Sequence, residues 1–356
     1  MTRGKIVTFG ELLLRFSKPD HLRLTQGDMF TSKYGGSEAN VAVSLATLGD
    51  NVEYITRLPD TPVGHAAVES LQALGVKCRR VLWGGRRIGT YYMEPPAGMR
   101  PPKVIYDRDG SAYSELQPGM IPWRDILKDA SVLHVSGITA AISQQAADAT
   151  FEALDVADEL GVTISFDINY RKNLWKYGAD PRETISRMLA RCDMMFGDAI
   201  EFEWLFQHPQ PPFTATDEHF TMQMEEYGEW FKDIHRQFPR CHDWLMGMRN
   251  MVASNHHTLT ALLYTREQND WQLLQAPILD IPDVVDPVGV GDAFMAGLLH
   301  TAATFPTDKQ MQLNYSLAAS ALKNTVPGDF NLTTDDEIMD VVTHARDIHS
   351  LYKVTV

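Results

Sequence analysis

The stretch Asp286-Pro287-Val288-Gly289-Val290-Gly291-Asp292 has the residue types of a turn that handles an anion. Two glycines flank one small apolar residue and an aspartate follows directly. A run with helical spacing, Ala293-Phe294-Met295-Ala296-Gly297-Leu298-Leu299, then begins. Gly289 and Gly291 permit turn conformations closed to other residues, so successive main-chain N–H groups can point one way at the start of the helix. Those first N–H groups lack intrahelical partners, and the helix dipole favours negative charge there. Gly289, Val290 and Gly291 therefore form a candidate anion hole. Asp292 at its mouth either caps the helix or, beside a bound phosphate, takes the proton of an attacking hydroxyl. Two commoner phosphate loops are excluded. The G-x-G-x-x-G spacing fails at Phe294, and no Gly-Lys-Ser/Thr follows.

A second glycine turn, Gly35-Gly36-Ser37-Glu38-Ala39-Asn40, opens an apolar helix from Val41 to Leu48 that Gly49 ends. Small residues before a helix leave room for a ligand. With its flanks, Asp-Pro-Val-Gly-Val-Gly-Asp-Ala-Phe-x-Ala-Gly resembles the C-terminal motif of the ribokinase-like (PfkB) carbohydrate kinases. That motif usually reads Asp-Thr-x-Gly-Ala-Gly-Asp; here Pro287 stands for the Thr and Val290 for the Ala. Gly-Gly-x-x-x-Asn-Val-Ala-x-x-Leu-Ala-x-Leu-Gly resembles the N-terminal motif of the same family. The resemblance implies that Gly35, Gly36 and Asn40 hold sugar hydroxyls and that Asp292 is the catalytic base. It also implies ATP and Mg²⁺ as cofactors, and leaves open a monovalent cation near Asp286.

Further polar groups fall into place on the same resemblance. Gly89-x-Tyr91 followed by Tyr106-x-Arg108-x-x-Ser111-Ala112 is similar to the 2-keto-3-deoxygluconate kinase branch, where the tyrosines and the arginine face an acid sugar. Arg suits a carboxylate because its planar fork binds it bidentately. Val162 to Arg171 reads as a strand ending in polar residues, and ligands in open parallel sheets sit outside the carboxyl ends of strands. Asp167-x-Asn169-x-Arg171-x-x-Leu174-Trp175 resembles the same branch. There the arginine lies between substrate and nucleotide phosphates, and Asn169 falls on the nucleotide side. Asp198-x-x-Glu201 stands where the family usually has Asn-x-x-Glu. It is either a helix-capping pair or the nucleotide and water-mediated Mg²⁺ site, with Asp198 and Glu201 in those roles. Gly247 replaces a family Thr in the strand that also brings Arg249 to the phosphates. Asn324, in Asn324-Thr325-Val326-Pro327-Gly328-Asp329, resembles the adenine-side loop.

Strands alternating with helices position these groups, which implies an α/β fold: a ribokinase-like, doubly wound, mostly parallel sheet with helices on both faces. Residues 11–34, with Leu12, Leu14 and Phe16 alternating, and residues 86–115 are expected to pair as a small β lid over one kinase domain spanning 1–356. A lid with a free face suggests a homodimer. Residues 207–243 are polar and read as a surface excursion containing a helix from Met222 to His235. His256-His257 reads as a loop pair.

The balance of 32 basic against 46 acidic residues, a formal charge of −14, argues against a nucleic-acid partner held by phosphate contacts. Three scattered cysteines, Cys78, Cys192 and Cys241, fit a reduced, cytoplasmic setting. No signal-peptide pattern opens the chain, and no apolar stretch long enough for a membrane span occurs. The expected reaction is ATP-dependent phosphorylation of a sugar acid, 2-keto-3-deoxygluconate to its 6-phosphate. The alternatives are a fructokinase or 5-keto-2-deoxygluconate kinase, or a non-catalytic sugar or nucleotide sensor. An NAD-linked oxidoreductase lacks the glycine fingerprint.

Overall fold

A computed structural model describes residues 4–215, 220–267 and 270–344. The chain opens with β1 (Lys5–Phe9), β2 (Leu13–Ser17), β3 (Thr31–Gly35), α1 (Ser37–Thr47), β4 (Val52–Ile55), β5 (Arg57–Leu58), α2 (Pro62–Gln72), β6 (Leu82–Trp83), β7 (Gly89–Glu94) and β8 (Lys103–Asp107). The middle contains α3 (Trp123–Leu127), β9 (Ala130–Ser136), α4 (Gly137–Ala141), α5 (Gln144–Leu160), β10 (Thr163–Asp167), α6 (Pro181–Leu189), β11 (Met194–Asp198) and α7 (Ala199–Phe206). There follow β12 (Phe213–Ala215), β13 (Phe220–Met222), α8 (Met224–Gln237), β14 (Asp243–Ala253), β15 (His256–Glu267), β16 (Asp270–Gln275), β17 (Leu279–Ile281), α9 (Val290–Thr304), α10 (Lys309–Lys323) and α11 (Asp335–His344).

The main sheet runs β16-β15-β14-β11-β10-β9-β1-β4, with β17 also on β15. It is parallel from β14 to β4 and antiparallel beyond β14. Its central strands are buried along almost their whole length, as β1 (all five residues) and β10 are. Strands covered on both faces read as continuous apolar runs, which is why they were legible. Phe9, Leu133, Phe166 and Trp244 belong to one side's core, and Val41, Leu45, Leu245 and Leu298 to the other. No described helix is long and apolar enough to cross a membrane.

A separate four-stranded sheet, β3-β2-β7-β8, forms the lid. Its orientation departs from the apolar alternation. In β2 the buried residues are Leu13, Arg15 and Ser17, while Leu14 and Phe16 are half-buried on the other face. The inner face carries Arg15 and Ser17 beside an apolar cluster of Leu13, Tyr91 and Met93. On the other face Leu14 packs against the main core, while Phe16 stacks on Tyr92 with centroids 5.6 Å apart and Phe30 packs edge-on against both.

Residues 207–243 also differ from expectation. The described part contains the β12–β13 hairpin and α8, and α8 buries Tyr227, Trp230, Phe231 and Ile234. Phe231 stacks on Tyr264 of β15 at 5.6 Å. The segment therefore covers the sheet; large side chains buried this way stabilise by about 1.5–3 kcal/mol each. Residues 216–219, part of that expected excursion, lie outside the described residues. His256 and His257 begin β15 and do not form a loop; His257 is buried and His256 Nε2 lies 2.6 Å from Asp280.

Candidate active site

α9 starts at the Gly289–Gly291 turn expected to bind an anion. Gly289 is its N-cap in the left-handed region, φ 84°, with no side-chain cap. A Cβ there would lie 2.2 Å from the Asp329 carbonyl, so only glycine fits. The first intrahelical bond runs from Ala293 N–H to Gly289 O at 2.9 Å. The N–H groups of Val290, Gly291 and Asp292 precede it and lack helical partners. Asp286 shapes the approach: its Oδ1 accepts from Val288 N–H at 3.1 Å and its Oδ2 from Gly328 N–H at 2.9 Å.

Asp292 does not cap α9; its carboxylate is buried and held from α1. Ser37 Oγ donates to Oδ1 at 2.6 Å and Asn40 Nδ2 donates to Oδ2 at 2.7 Å. Asn40 is oriented in turn by its own Oδ1, which accepts Gly36 N–H at 3.2 Å. Gly36 lets α1 approach closely, since a Cβ would sit 2.2 Å from Glu11 O. Burial pushes the Asp292 carboxyl above the usual carboxylate range, and the bonds from Ser37 and Asn40 oppose that rise. The group is thus a carboxylate with raised proton affinity and fixed orientation.

Arg15 of β2 reaches under the lid to two carboxylates: Nη2 lies 2.9 Å from Asp286 Oδ2 and Nη1 2.9 Å from Asp329 Oδ1. Tyr91, expected to face substrate, donates its hydroxyl to Asp329 Oδ2 and presents its ring to the cavity instead. Arg108 lines the cavity, yet its Nε donates to Glu11 Oε2 at 2.6 Å, so it is one half of a buried ion pair and not a lone cation. Tyr106 faces inward beside it, with the Arg108 guanidinium 5.8 Å from its ring centre. Arg15, Glu11 and Asp329 were not anticipated as site residues. The one signal was Arg15 itself, a charge set among Leu12, Leu13, Leu14 and Phe16.

The carboxyl ends of β10, β11 and β14 form the opposite wall. Asn169, at φ 37°, donates Nδ2 to Ser37 Oγ at 2.9 Å and to Asp167 Oδ2 at 3.2 Å; its buried Oδ1 has no partner. Burial, then the charges of Glu201 and Asp292, hold the Asp167 carboxyl well above its ordinary range. The Arg171 side chain remains 44% exposed, with Nη1 3.8 Å from Glu201 Oε1. Asp198 and Glu201 make a capping box for α7: Asp198 Oδ1 accepts Glu201 N–H at 2.8 Å and Glu201 Oε2 accepts Asp198 N–H at 3.1 Å. Glu201 Oε1 accepts Tyr170 N–H at 2.7 Å. Burial, then neighbouring Asp198, lifts Glu201 to about 7. Gly247 has Phe196 against it, where a Cβ would come within 3.2 Å of the ring. Asn324 is buried and gives its amide to Ser320 O at 2.9 Å, closing α10.

A cavity of about 530 Å³ opens between lid and sheet. Among the residues expected at the site, Gly35 alone does not line it; Asp329 fills the space where its Cβ would be. The cavity thus joins a buried carboxylate, a helix N-terminus with open N–H groups, and arginines from the lid and sheet. That combination suits transfer of a phosphoryl group to a hydroxyl. No group of three or more His, Cys, Asp or Glu side chains that could by itself hold a metal ion occurs among the described residues. Mg²⁺ is commonly held by substrate phosphates, one or two carboxylates and water, so Asp198 and Glu201 at the cavity wall fit its modest needs.

A 2-dehydro-3-deoxygalactonokinase from Haloferax volcanii is 29% identical over 342 residues, covering 95% of this chain and 96% of the relative. A 2-dehydro-3-deoxygluconokinase from Bacillus subtilis is 26% identical over 351 residues, covering 96% and 97%. The crystal structure of 2-dehydro-3-deoxygluconokinase from Thermotoga maritima, 33% identical, superposes with a TM-score of 0.85 over 96% of this chain and 100% of that one. Residues 3–329 match the pfkB family carbohydrate kinases, and with the ribokinase-like fold and these relatives the chain belongs to that family.

Proposed function

We propose that the protein phosphorylates a sugar acid with ATP, converting 2-keto-3-deoxygluconate (2-dehydro-3-deoxygluconate) to its 6-phosphate. The observation that carries the reading is Asp292, a buried carboxylate aimed by Ser37 and Asn40 and set in the first turn of α9. The sugar's primary hydroxyl attacks the γ-phosphorus. Its O–P bond forms as the bond to the β,γ-bridging oxygen breaks, ADP leaves, and the hydroxyl proton passes to Asp292. The hydroxyl acidifies as the new bond forms, so positioning and charge stabilisation outweigh proton removal. The N–H groups from Gly289 to Asp292 hold the developing charge. Gly36, Asn40 and Tyr91 shape the sugar side, with Gly35 behind them against Asp329. Asn169, Arg171, Asp198, Arg249 and Asn324 face the nucleotide. Asp198 and Glu201 would hold the Mg²⁺ that accompanies ATP, and the ion would supply neutralisation of phosphate charge.

The acid substrate is supported by Tyr106, Arg108 and Arg171 at the cavity and by the names of the relatives. The whole chain, 1–356, is taken as one kinase domain. The outer lid face supports a homodimer, because Phe30 and Ile105 are exposed beside the Phe16–Tyr92 stack. Three free, buried cysteines accord with a cytoplasmic setting.

A coupled ADP-release assay with Mg-ATP tests the reading against 2-keto-3-deoxygluconate, its C4 epimer 2-keto-3-deoxygalactonate, 5-keto-2-deoxygluconate, fructose and ribose. The epimer is the second reading, favoured by the Haloferax relative. Highest kcat/KM for either 2-keto-3-deoxy acid supports the acid-sugar site. Preference for fructose or ribose overturns it while leaving Asp292 in place. Tight ATP binding without turnover of any sugar would favour a sensor.

A further inference from the structure

The last residue of α10, Lys323, is among the largest fully buried side chains of the protein. A buried ammonium is rare, because desolvation disfavours it unless it is paired and hydrogen-bonded. Here its Nζ donates to two main-chain carbonyls, Asp286 O at 3.2 Å and Val326 O at 2.9 Å. One carbonyl belongs to the residue that opens the anion-binding turn. The Lys323 Cε lies 3.4 Å from where a Cβ of Gly289 would be, so the side chain runs directly behind the turn. The turn is further tied to the end of α10, since Val285 and Asp286 N–H groups donate to Asn324 O at 2.8 and 3.1 Å.

The charge balance around the turn explains why a cation belongs there. Asp286, Asp292 and Asp329 are all buried around it, and a phosphate chain would add several negative charges. Arg15 meets the carboxylates of Asp286 and Asp329 from the lid side. On the far side, the carbonyl oxygens of Asp286 and Val326 converge as hard oxygen ligands would around a dissolved cation. Lys323 fills that place with its own ammonium.

We propose that Lys323 is the built-in counter-cation of the anion-binding turn, so that phosphoryl transfer needs no dissolved monovalent cation beside Asp286. Lys323 touches no reacting atom; it is a positioning residue that acts through the Gly289 turn. The inference rests on the sugar-kinase reading for its catalytic arm and on geometry alone for its binding arm.

The test compares wild type, Lys323→Ala and Lys323→Met in tetramethylammonium chloride and in potassium chloride. Wild-type turnover of 2-keto-3-deoxygluconate is expected to be the same in both salts. Both variants are expected to lose about tenfold to hundredfold in kcat, with the KM for sugar changed less than about threefold. Potassium or ammonium is expected to restore part of the loss in Lys323→Ala, which leaves an oxygen-lined space, and none in Lys323→Met, which fills it. The binding arm needs no substrate: potassium should raise the Tm of Lys323→Ala by about 2 °C or more over tetramethylammonium and leave wild type unmoved. Activation or Tm stabilisation of the wild type by potassium, or a Lys323→Met enzyme with wild-type kcat, would overturn the proposal. If wild type turns over no sugar, the kinase reading fails by itself and the Tm comparison still decides the cation site. If Lys323→Ala does not fold, the wild-type salt comparison and Lys323→Met decide it.

Discussion

Ser37 Oγ donates to Asp292 Oδ1 at 2.6 Å while it accepts from Asn169 Nδ2 at 2.9 Å. A serine at the head of α1 thereby links the Asp292 carboxylate in α9 to the end of β10, three elements far apart in the chain. The bond stabilises the charged carboxylate, so removing it lets burial raise the Asp292 pKa further. Ser37→Ala is expected to move the acidic limb of kcat/KM to higher pH by up to about one unit, with kcat at neutral pH falling about tenfold. A pH–rate profile at saturating ATP reads both. An unmoved acidic limb would remove Ser37 from the proton path.

Asp292→Asn preserves shape and polarity but cannot take a proton. Turnover is expected to drop by about 10²–10⁴ while ATP binding, measured by titration calorimetry, stays within a few-fold. A variant that turns over at the wild-type rate would refute the assignment of Asp292 as base.

Arg15 joins the lid to the phosphate side through Asp286 and Asp329, each at 2.9 Å. Arg15→Met leaves two buried carboxylates without their cation. Breaking a buried pair this way costs about 3–5 kcal/mol, well beyond a surface ion pair. Urea unfolding should show a correspondingly lower midpoint. Asp329→Asn in the Arg15→Met background should recover part of the loss. Additive losses in the double variant would show that the two residues act separately.

Arg108 is neutralised by Glu11 at 2.6 Å. Arg108→Ala is therefore expected to do two things. It strands a buried carboxylate, lowering stability by a few kcal/mol, and it raises the KM for 2-keto-3-deoxygluconate far more than that for fructose. Steady-state kinetics with both sugars, beside a thermal melt, separate the effects. Equal KM changes for the two would leave Arg108 a structural residue, with Arg171 carrying the substrate carboxylate.

Burial lowers Lys323 to about 8, opposed by Asp286 and Asp329, with Arg15 and Asp292 as the other charges that reach it. If its charge serves the turn, kcat falls above about pH 8. The linkage sign separates this from unfolding. Between about 8 and the unbound lysine value of 10.5 the unfolded chain holds more protons than the folded one. This group's contribution to stability therefore rises with pH in that window. A basic limb that Lys323→Arg shifts upward, without loss of folded protein, would match; kcat flat through pH 9.5 in wild type would not.

Much of the molecule was legible in the chain because local rules and global fold agree. Gly289 and Gly36 stand where a Cβ would meet backbone oxygen at 2.2 Å, so the two turns carried their own signature. The parallel strands announced themselves as apolar runs because both faces are covered. The lid showed where this logic stops. Periodicity identified its strands through Leu12, Leu14 and Phe16, but said nothing of Arg15, which the structure buries on the face opposite Leu14 and Phe16. A strand's alternation reveals two faces and not which one meets a polar site. Likewise α8 looked peripheral because its aromatic residues are spread among charges, and only packing against β15 made them core.

The fold class, the glycine turn ahead of α9 and Asp292 beside it could be read from the chain, since these depend on residues adjacent in it. Tertiary structure decided which polar groups are free. Tyr91 is taken by Asp329, Arg108 by Glu11, and Lys323 by the carbonyls of Asp286 and Val326. These partners are brought together only by folding, and a charge becomes available or spent according to what burial places within hydrogen-bond reach.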